Sequence, residues 1–463
     1  MKVLFLMCDE LSWWGLGHTN PRTLTPNIDR LAASARVFSE AYTPSPICVP
    51  TRAAIATGKY VHEIGNWSSA EPYEGTVPSY GHQLQAADIP VRSIGKLHYR
   101  GQEADTGFDE QIVPVHVLNG VGWIQGLLRN PLYEYDETVD LAVDIGPGNS
   151  GYLEQDRSVT AAAVDWLGSE AAQAANWCTF VSWLAPHFPL IAPQEFYDLY
   201  DPEDFDGLPE PPPDHPILDE IRHFFNHEDH FDPETRKIAK ASYYALCSFL
   251  DAEVGKVLDA LDQAGLTDDT LIIFTSDHGE MLGEKGFWTK STMYDSAAKV
   301  PLILSGPGVK PGQITEPVSL IDIPPTIAEC FGLSKRPYSG KSLLGDIAPN
   351  RTVLSEYHDG GCSAGFTMVR WNDGDTFWKY IHYAEGHPPQ LFDLTSDPRE
   401  ETNLAAKHPD ICVEATSRLA RWMDPEAINK RAHAEQAAKV KALGGREKVL
   451  AYPQFNYTPA DSR

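Results

Sequence analysis

Acidic side chains and a histidine stand directly after two apolar runs of this sequence. Asp9 and Glu10 follow the first apolar run, and Asp277 and His278 follow its most strand-like one. Carboxylate oxygens with a borderline imidazole suit a divalent cation. If both runs are parallel strands of one sheet, these side chains meet at its carboxyl edge, where open α/β sheets bind ligands. For Asp9 and Glu10 alone, helix capping or a solvated loop explains the residues equally well.

A thiol and a guanidinium stand four residues apart in the segment 44–60. Cys48 is followed by Pro50, which stiffens the turn, and then by Arg52 and small residues that can begin a helix. Such a helix would carry Cys48 and Arg52 on one face near its positive end, where an anion is stabilised. A buried cysteine beside an arginine that satisfies local carbonyls is the alternative.

Basic residues occupy similar positions in three further segments. Lys96 and His98 directly follow a predicted strand, His187 lies between two prolines after another, and Lys290 lies in the loop after His278. One lysine or histidine in a loop is usually only solvated. A cation surrounded by several basic residues, however, describes a pocket for the head group of an anionic ester.

The elements that would position these side chains alternate between strand and helix. Up to about residue 345, this alternation predicts an α/β fold, a mostly parallel mixed sheet with helices on both faces. The predicted buried strands are 2–7, 91–94, 178–184, 271–276 and 300–304. The predicted helices run from Thr25 through Phe38, from about Arg52 onward, and over 81–87, 158–167 and 236–264.

The pattern changes after residue 345, where short strands joined by tight turns predict an antiparallel sheet. We therefore divide the chain into a catalytic α/β domain, 1–345, and a smaller C-terminal subdomain, 346–463. The polar, Ala/Lys-rich tail from about residue 425 lacks the hydrophobic pattern of an independent fold. We expect it to wrap a partner subunit, so that the protein is a homo-oligomer. The expected C-terminal elements are strands at 352–357, 366–371 and 377–382 and a helix at about 408–422.

Composition narrows the classes of partner. The 463 residues carry a formal net charge of −28, which repels nucleic acid and anionic membrane surfaces. Neither a signal peptide nor an apolar run of about 18 residues is found, so we expect a cytoplasmic protein. Seven scattered cysteines fit reduced thiols. The acidic, proline-rich stretch 201–234, with His223, His227 and His230, is better explained as a solvated excursion than as a metal-binding tract.

The ordered set of motifs resembles the formylglycine-dependent sulfatases of the alkaline phosphatase superfamily over most of the chain. The matching segments are the opening strand with Asp9, then TPNIDRLAASARVF, CVPTRAAIATGKY, GKLH, PHFP and SDHGEMLGEKGFWTKSTMYDSAAKVPLI. The segments MVRWNDGDTFWKYIHY and LFDLTSDPREETNLA look like the family's C-terminal subdomain. DHGEMLGEKGFW and TGFDEQ look closest to choline-sulfatase-like members, with phosphonate monoester hydrolases as neighbours.

The resemblance implies an alkaline phosphatase-like fold and a sulfuric ester hydrolase. A formylglycine-generating enzyme would oxidise Cys48, and the hydrated aldehyde would attack the sulfur of a small-molecule sulfate ester, aryl or alkyl. Ca²⁺, with Mn²⁺ or Mg²⁺ as alternatives, would assist that attack. The metal ligands implied by the family are Asp9, Glu10, residue 48, Asp277 and His278.

The remaining roles also come from the resemblance. Arg52 and Lys96 would steady the nucleophile and the developing charge, while His187 or Lys290 would protonate the leaving alcohol. His98 would take the last hydroxyl proton as sulfate departs.

Two features leave alternatives open. His278 stands where many sulfatases have Asn, as in the choline-sulfatase and phosphonate branches, and Ser68-Ser69 stands where an Asp-Asn pair is expected, with Asn66 close by. A phosphonate monoester or phosphodiester hydrolase with the same nucleophile is one alternative function. A non-catalytic anion-binding protein with unmodified Cys48 is another. The aromatic candidates for a pocket wall are Trp13, Trp14, Trp67 and Trp123.

Overall fold

The computed structural model describes residues 1–135, 138–333, 336–453 and 457–460. The strands in chain order are β1 Lys2–Asp9, β2 Arg36–Phe38, β3 Ala41–Tyr42, β4 Val91–Lys96, β5 Glu110–Val115, β6 Ile145–Pro147, β7 Trp177–Pro186, β8 Leu190–Ala192, β9 Thr270–Ser276, β10 Leu302–Ser305, β11 Gly312–Ile314, β12 Val318–Ser319, β13 Thr352–Tyr357, β14 Phe366–Asp373, β15 Thr376–Tyr383 and β16 Gln390–Asp393. The α-helices are α1 Pro26–Ala33, α2 Cys48–Thr57, α3 Val61–Ile64, α4 Tyr80–Gln85, α5 Asp140–Val143, α6 Gly151–Leu167, α7 Gln194–Tyr197, α8 Pro216–Phe225, α9 Pro233–Gln263, α10 Asp295–Ala298, α11 Ile323–Cys330, α12 Pro409–Leu419, α13 Pro425–Ala442 and α14 Arg446–Leu450.

The centre of the fold is an eight-stranded sheet with the order β11-β2-β10-β9-β1-β7-β4-β5. The strands β9, β1, β7, β4 and β5 are parallel, whereas β10 runs antiparallel to β9 and β2. All eight residues of β1 are buried, as expected of a central strand covered on both faces. The mostly parallel mixed sheet predicted from the sequence is confirmed.

Alternate side chains of β1 enter two different cores. Leu4 and Leu6 pack into a cluster with residues of α6 and α9, and Val3 and Phe5 pack into a cluster with residues of α2, α4 and α11. The period of two along the strand thus sends apolar groups to both faces of the sheet. Helices cover both faces, as the alternating pattern predicts.

The register of the central strands brings the predicted site segments together. Cys8 of β1 lies opposite Ser276 of β9, and Asp9 lies opposite Pro186 of β7 across a bulge. The residues that follow these positions therefore share one edge of the sheet. This is the carboxyl edge at which ligands bind in open α/β sheets.

A separate antiparallel sheet, β13-β14-β15-β16, forms the C-terminal part of the chain. It is joined to the α/β part by buried charges. The side chain of Lys379, in β15, has 0% exposure and pairs with Asp295. Lys379 Nζ also lies 2.8 Å from a carboxylate oxygen of Glu400. Asp295 begins α10, five residues after Lys290, so this network fixes the loop that carries Lys290.

The C-terminal tail forms helices α13 and α14, which pack against their own chain. Ala432 and Val449 are fully buried, and Gln436 Nε2 donates a hydrogen bond of 2.7 Å to the carbonyl of His358. The tail thus finds its apolar partners inside one subunit. A homo-oligomer stays a prediction.

Some predicted bounds are wrong. The helix expected through Phe38 ends at Ala33, because Arg36–Phe38 adds to the main sheet as β2. The helix expected from Arg52 begins at Cys48, and the one expected from Ser158 begins at Gly151.

The acidic stretch 201–234 is not simply solvated. Its helix α8 buries Ile217, Leu218 and Ile221. Among the described residues, no helix is both long and apolar enough to span a bilayer.

Candidate active site

Four buried side chains converge where β1 and β9 end and α2 begins. Asp9, Cys48, Asp277 and His278 each offer a ligand atom, and these atoms all lie within 4.8 Å of one another. Cys48 Sγ lies 3.0 Å from His278 Nε2 and 3.6 Å from Asp9 Oδ1. His278 Nε2 lies 3.7 Å from Oδ1 of both Asp9 and Asp277. Four of the five predicted metal ligands therefore form one cluster.

The donor set of this cluster fits a divalent cation. His278 Nδ1 faces the carbonyl of Gly279 at 3.0 Å, so Nδ1–H donates there and the Nε2 lone pair points toward the two carboxylates. Two carboxylate oxygens and one imidazole nitrogen are hard and borderline ligands. The fifth predicted ligand, Glu10, groups instead with Asp9 and His187. Its Oε1 is buried, and the side chain of Glu10 also meets that of Glu280.

Arg52 and Lys96 hold the outer oxygens of these carboxylates. Arg52 Nε donates to Asp277 Oδ2 at 2.8 Å, its Nη2 reaches Asp9 Oδ2 at 3.3 Å, and Lys96 Nζ pairs with the same Asp9 oxygen. Burial opposes ionisation of Asp9, but the charges of Lys96 and Arg52 hold its pKa well below the usual range. Asp9 is therefore a carboxylate whose Oδ1 remains turned to the cluster.

Cys48 occupies the first position of α2, as the anion-binding geometry requires. Burial, reinforced by the charge of Asp9, raises the pKa of its thiol to about 12. An unmodified Cys48 is thus protonated at neutral pH, and a thiol is neither a good nucleophile nor a good ligand for a hard cation.

Lys290 and His187 meet on the other side of Cys48. Lys290 Nζ lies 2.7 Å from His187 Nε2 and 3.1 Å from Glu10 Oε2. His187 Nδ1 faces the carbonyl of Phe188 at 2.6 Å. Burial and the charge of Lys290 hold the pKa of His187 well below its ordinary value. The imidazole is neutral and accepts at Nε2, so the available proton of this pair lies on Lys290.

His98 lies two residues beyond β4, in a left-handed backbone conformation with φ of 55°. Burial, together with the charges of Lys96 and Arg52, holds the pKa of His98 well below its ordinary value. The imidazole is therefore neutral. Its Nδ1 has no hydrogen-bond partner among the described residues.

These groups open into a cavity of about 160 Å³. Its lining includes Cys48, His98, His187 and Lys290, so the structure brings these predicted catalytic residues together. Apart from Lys290, no Lys, Arg, Asp or Glu is among the described residues of its lining. The aromatic lining consists of Trp123, Tyr135, Phe188, Phe225 and Tyr457.

Of the four tryptophans considered as wall residues, Trp123 lines the cavity. Trp14 packs against Tyr243 and Tyr244, and Trp67 donates to a carboxylate oxygen of Glu435 at 2.7 Å. Trp13 lies under the ammonium group of Lys299. These three pack elsewhere in the structure.

Several lining residues were not predicted from the sequence. Phe225 and His227 reach the cavity from the end of α8 and the turn after it. Burial lowers the pKa of His227 to about 3, with His230 and Lys290 adding to the effect, so this imidazole is neutral. The amphipathic pattern of α8 was the signal that could have identified this wall.

Ser69 also lines the cavity and is held by the C-terminal part of the chain. Its backbone N–H and its Oγ donate to Asp359 Oδ2 at 2.7 and 2.6 Å. Asn66, considered as a substitute amide, donates its Nδ2 to the carbonyl of Glu71 at 2.7 Å. In this structure Asn66 is therefore committed to the local turn.

Comparisons with known proteins agree with this geometry. A family model described as "Sulfatase" matches residues 2–333. The choline-sulfatase of Rhizobium meliloti (strain 1021) is 32% identical over 95% of this chain and 90% of its own length. Arylsulfatase K of Danio rerio is 30% identical over 88% of this chain and 80% of its own length.

Among solved structures, the phosphonate monoester hydrolase of Silicibacter pomeroyi superposes with a TM-score of 0.72 at 26% identity, covering 91% of this chain and 94% of that protein. The predicted alkaline phosphatase-like architecture is thereby confirmed. The family model and the choline-sulfatase relative, taken with the cluster around Cys48, lead to one conclusion: this chain belongs to the sulfatase family.

Proposed function

We propose that this protein hydrolyses sulfate monoesters of small alcohols or phenols, with residue 48 acting as formylglycine. The carrying observation is the placement of Cys48 at the start of α2, among three groups able to ligate a metal and in the lining of the cavity. A thiol with a pKa of about 12 is inert there. The Cys-x-Pro-x-Arg sequence at this position supports oxidation by a formylglycine-generating enzyme.

Asp9, Asp277, His278 and residue 48 would hold the divalent cation, with Glu10 beside them. The oxygen-rich donor set favours Ca²⁺, with Mn²⁺ and Mg²⁺ as alternatives. Formylglycine supplies, as its hydrate, a hydroxyl nucleophile, and a cation bound there lowers the pKa of such a hydroxyl and polarises the ester oxygens.

The side chains of this protein orient the ester and move its protons. Arg52 and Lys96 hold the outer oxygens of Asp9 and Asp277 and so keep the two carboxylates turned toward residue 48. Lys290 Nζ donates a proton toward the leaving oxygen, while His187 Nε2 and Glu10 hold the ammonium group in place. His98 is neutral and accepts a proton at Nδ1, the nitrogen without a partner among the described residues.

The alcohol half of the ester would lie against the aromatic wall. Faces such as those of Trp123 and Phe225 suit an aryl ring or a quaternary ammonium group. The name of the Rhizobium meliloti relative makes choline O-sulfate the first alkyl ester to test. A cytoplasmic location remains a prediction.

The test is a substrate panel on protein coexpressed with a formylglycine-generating enzyme. We expect the highest kcat/KM on a sulfate ester when 4-nitrophenyl sulfate, choline O-sulfate and an aryl phosphonate monoester are compared. Peptide mass spectrometry of residue 48 accompanies each preparation. If kcat/KM is much higher on the phosphonate than on either sulfate ester, the enzyme is instead a phosphonate hydrolase. The Silicibacter pomeroyi neighbour bears the name of such an enzyme.

Two variants complete the test. Cys48→Ala removes the nucleophile and should leave less than about a thousandth of the rate. The matched control, Cys412→Ala, changes a half-buried cysteine of α12 and should leave the rate unaltered. An active preparation in which residue 48 is entirely a thiol would end the formylglycine mechanism.

A further inference from the structure

Described residues near the C-terminus, in the range 457–460, reach the active-site cavity. Tyr457 and Thr458 line this cavity beside His98 and His187. Thr458 Oγ1 lies 3.0 Å from His98 Nε2. The contact joins residues 360 positions apart in the sequence, so the fold alone creates it.

Thr458 is held in place by contacts with residues distant in the sequence. The hydroxyl of Tyr152 donates a hydrogen bond of 2.7 Å to the carbonyl of Thr458. The ring of Tyr457 packs edge-on against Tyr152 and Phe188, with centroid separations of 5.3 and 5.9 Å. Farther back, Gln125 donates from Nε2 to the carbonyl of Tyr452 at 2.7 Å. The segment is therefore anchored by both hydrogen bonds and aromatic packing.

His98 has few other restraints on its ring. Its backbone N–H donates to the carbonyl of Val115 at 3.0 Å, a hydrogen bond that fixes the main chain but does not involve the ring. Among the described residues, Nδ1 has no hydrogen-bond partner, whereas Nε2 lies within hydrogen-bond distance of the Thr458 hydroxyl. A buried neutral imidazole carries one N–H. The Thr458 hydroxyl can accept from Nε2–H or donate to Nε2, and only the first arrangement leaves the Nδ1 lone pair free to accept a proton.

We propose that Thr458 is a positioning residue, whose hydroxyl accepts a hydrogen bond from Nε2–H of His98 and so keeps the Nδ1 lone pair free toward the cavity. This inference rests on the proposed function, in which His98 accepts a proton. It assigns to the C-terminal segment a part in orienting the base. The segment would thereby complete the active site from a distant part of the sequence.

The test compares two substitutions of Thr458. Thr458→Val keeps the shape of the side chain and removes the hydroxyl, and we expect kcat to fall about tenfold because one hydrogen bond to the base is lost. KM should change little, since the sulfate end of the site is untouched. Thr458→Ser restores the hydroxyl and should return kcat to within about twofold of the wild type. Thr267→Val, at an exposed turn before β9, is the matched control.

A second readout does not depend on turnover. Long-range ¹H–¹⁵N spectra of protein labelled at histidine report which ring nitrogen is protonated, and a His98→Asn variant assigns the His98 signals. We expect Nε2–H in the wild type and in Thr458→Ser, and a shift of the proton toward Nδ1 in Thr458→Val.

The outcomes separate this inference from the proposed function. If the wild type hydrolyses a sulfate ester, an undiminished kcat in Thr458→Val overturns the role of Thr458, and so do unchanged His98 signals. If the wild type hydrolyses none of the esters, the proposed function fails, while the spectra still decide whether Thr458 sets the His98 tautomer.

Discussion

Substitution of Lys379 by methionine should destabilise the protein strongly. The side chain of Lys379 has 0% exposure, and its Nζ pairs with Asp295 and Glu400 and donates to the carbonyl of Met293 at 2.9 Å. Methionine fills a similar volume without the charge. The perturbation therefore tests the electrostatic part of the link between the two sheets with little change in packing.

The expected loss follows from the charges that remain. Burial opposes ionisation of Asp295, but Lys379 above all holds its pKa below the usual value, so the variant would bury this carboxylate with weaker partners. Those partners are Lys299, 3.7 Å away, and the hydroxyl of Tyr42, at 3.1 Å. Breaking a buried pair from one side costs about 3–5 kcal/mol. Burial raises the pKa of Glu400 to about 7, so this second acid can keep a proton, which places the expected loss near the lower value.

Urea unfolding at pH 7 measures this loss as a change in midpoint at constant m-value. Lys407→Met, at an exposed position, is the matched control and should stay within about 0.5 kcal/mol of the wild type. Adding Glu400→Gln to Lys379→Met should recover part of the stability, because one unpaired acid is removed. A loss below about 1 kcal/mol in Lys379→Met would refute the view that this network joins the sheets.

Three shorter predictions concern the active site and its support. Lys290→Met should lower the rate on an alkyl sulfate more than on 4-nitrophenyl sulfate, because a poor leaving group depends more on the proton; equal losses would remove Lys290 from that role. Removal of metal by a chelator should abolish turnover and lower Tm, because Asp9 and Asp277 then face each other without a cation. Readdition of Ca²⁺, Mn²⁺ or Mg²⁺ should restore both turnover and Tm. Full activity in metal-free protein would contradict this prediction. Burial raises the pKa of Asp156 to about 7, so the native state keeps this proton at pH values where the unfolded chain has lost it. The stability that this group contributes is present at low pH and is lost as pH rises from about 4 to 7. Relative to the wild type, the free energy of unfolding of Asp156→Asn should therefore increase across that range of pH.

Residues that end apolar strands were predictable from the sequence. Asp9 and Asp277 follow runs that could only be buried strands, and parallel pairing brings the ends of such strands to one edge. The position of Arg52 one helical turn after Cys48 was equally local information. Short-range rules therefore sufficed to place the side chains that surround residue 48.

Local rules failed where a helix depended on distant packing. The helix α1 ends at Ala33 although the apolar spacing continues, because Phe38 is better buried in β2, between β10 and β11 of the main sheet. In the stretch 201–234, prolines and acids dominate the composition, yet the apolar side of α8 packs against the C-terminal sheet. Tertiary burial outweighed the local signal in both cases.

The outer part of the active site illustrates a further limit of sequence reasoning. Ser69 is held by Asp359, and His98 contacts Thr458, so residues of the C-terminal part complete a site that the α/β part begins. A serine and a threonine have no distinctive spacing, because their role depends on one hydrogen bond to a distant partner rather than on a periodic pattern. The chemistry of residue 48 can be read from motifs, whereas the orientation of the groups around it depends on contacts with residues such as Asp359 and Thr458, far away in the sequence.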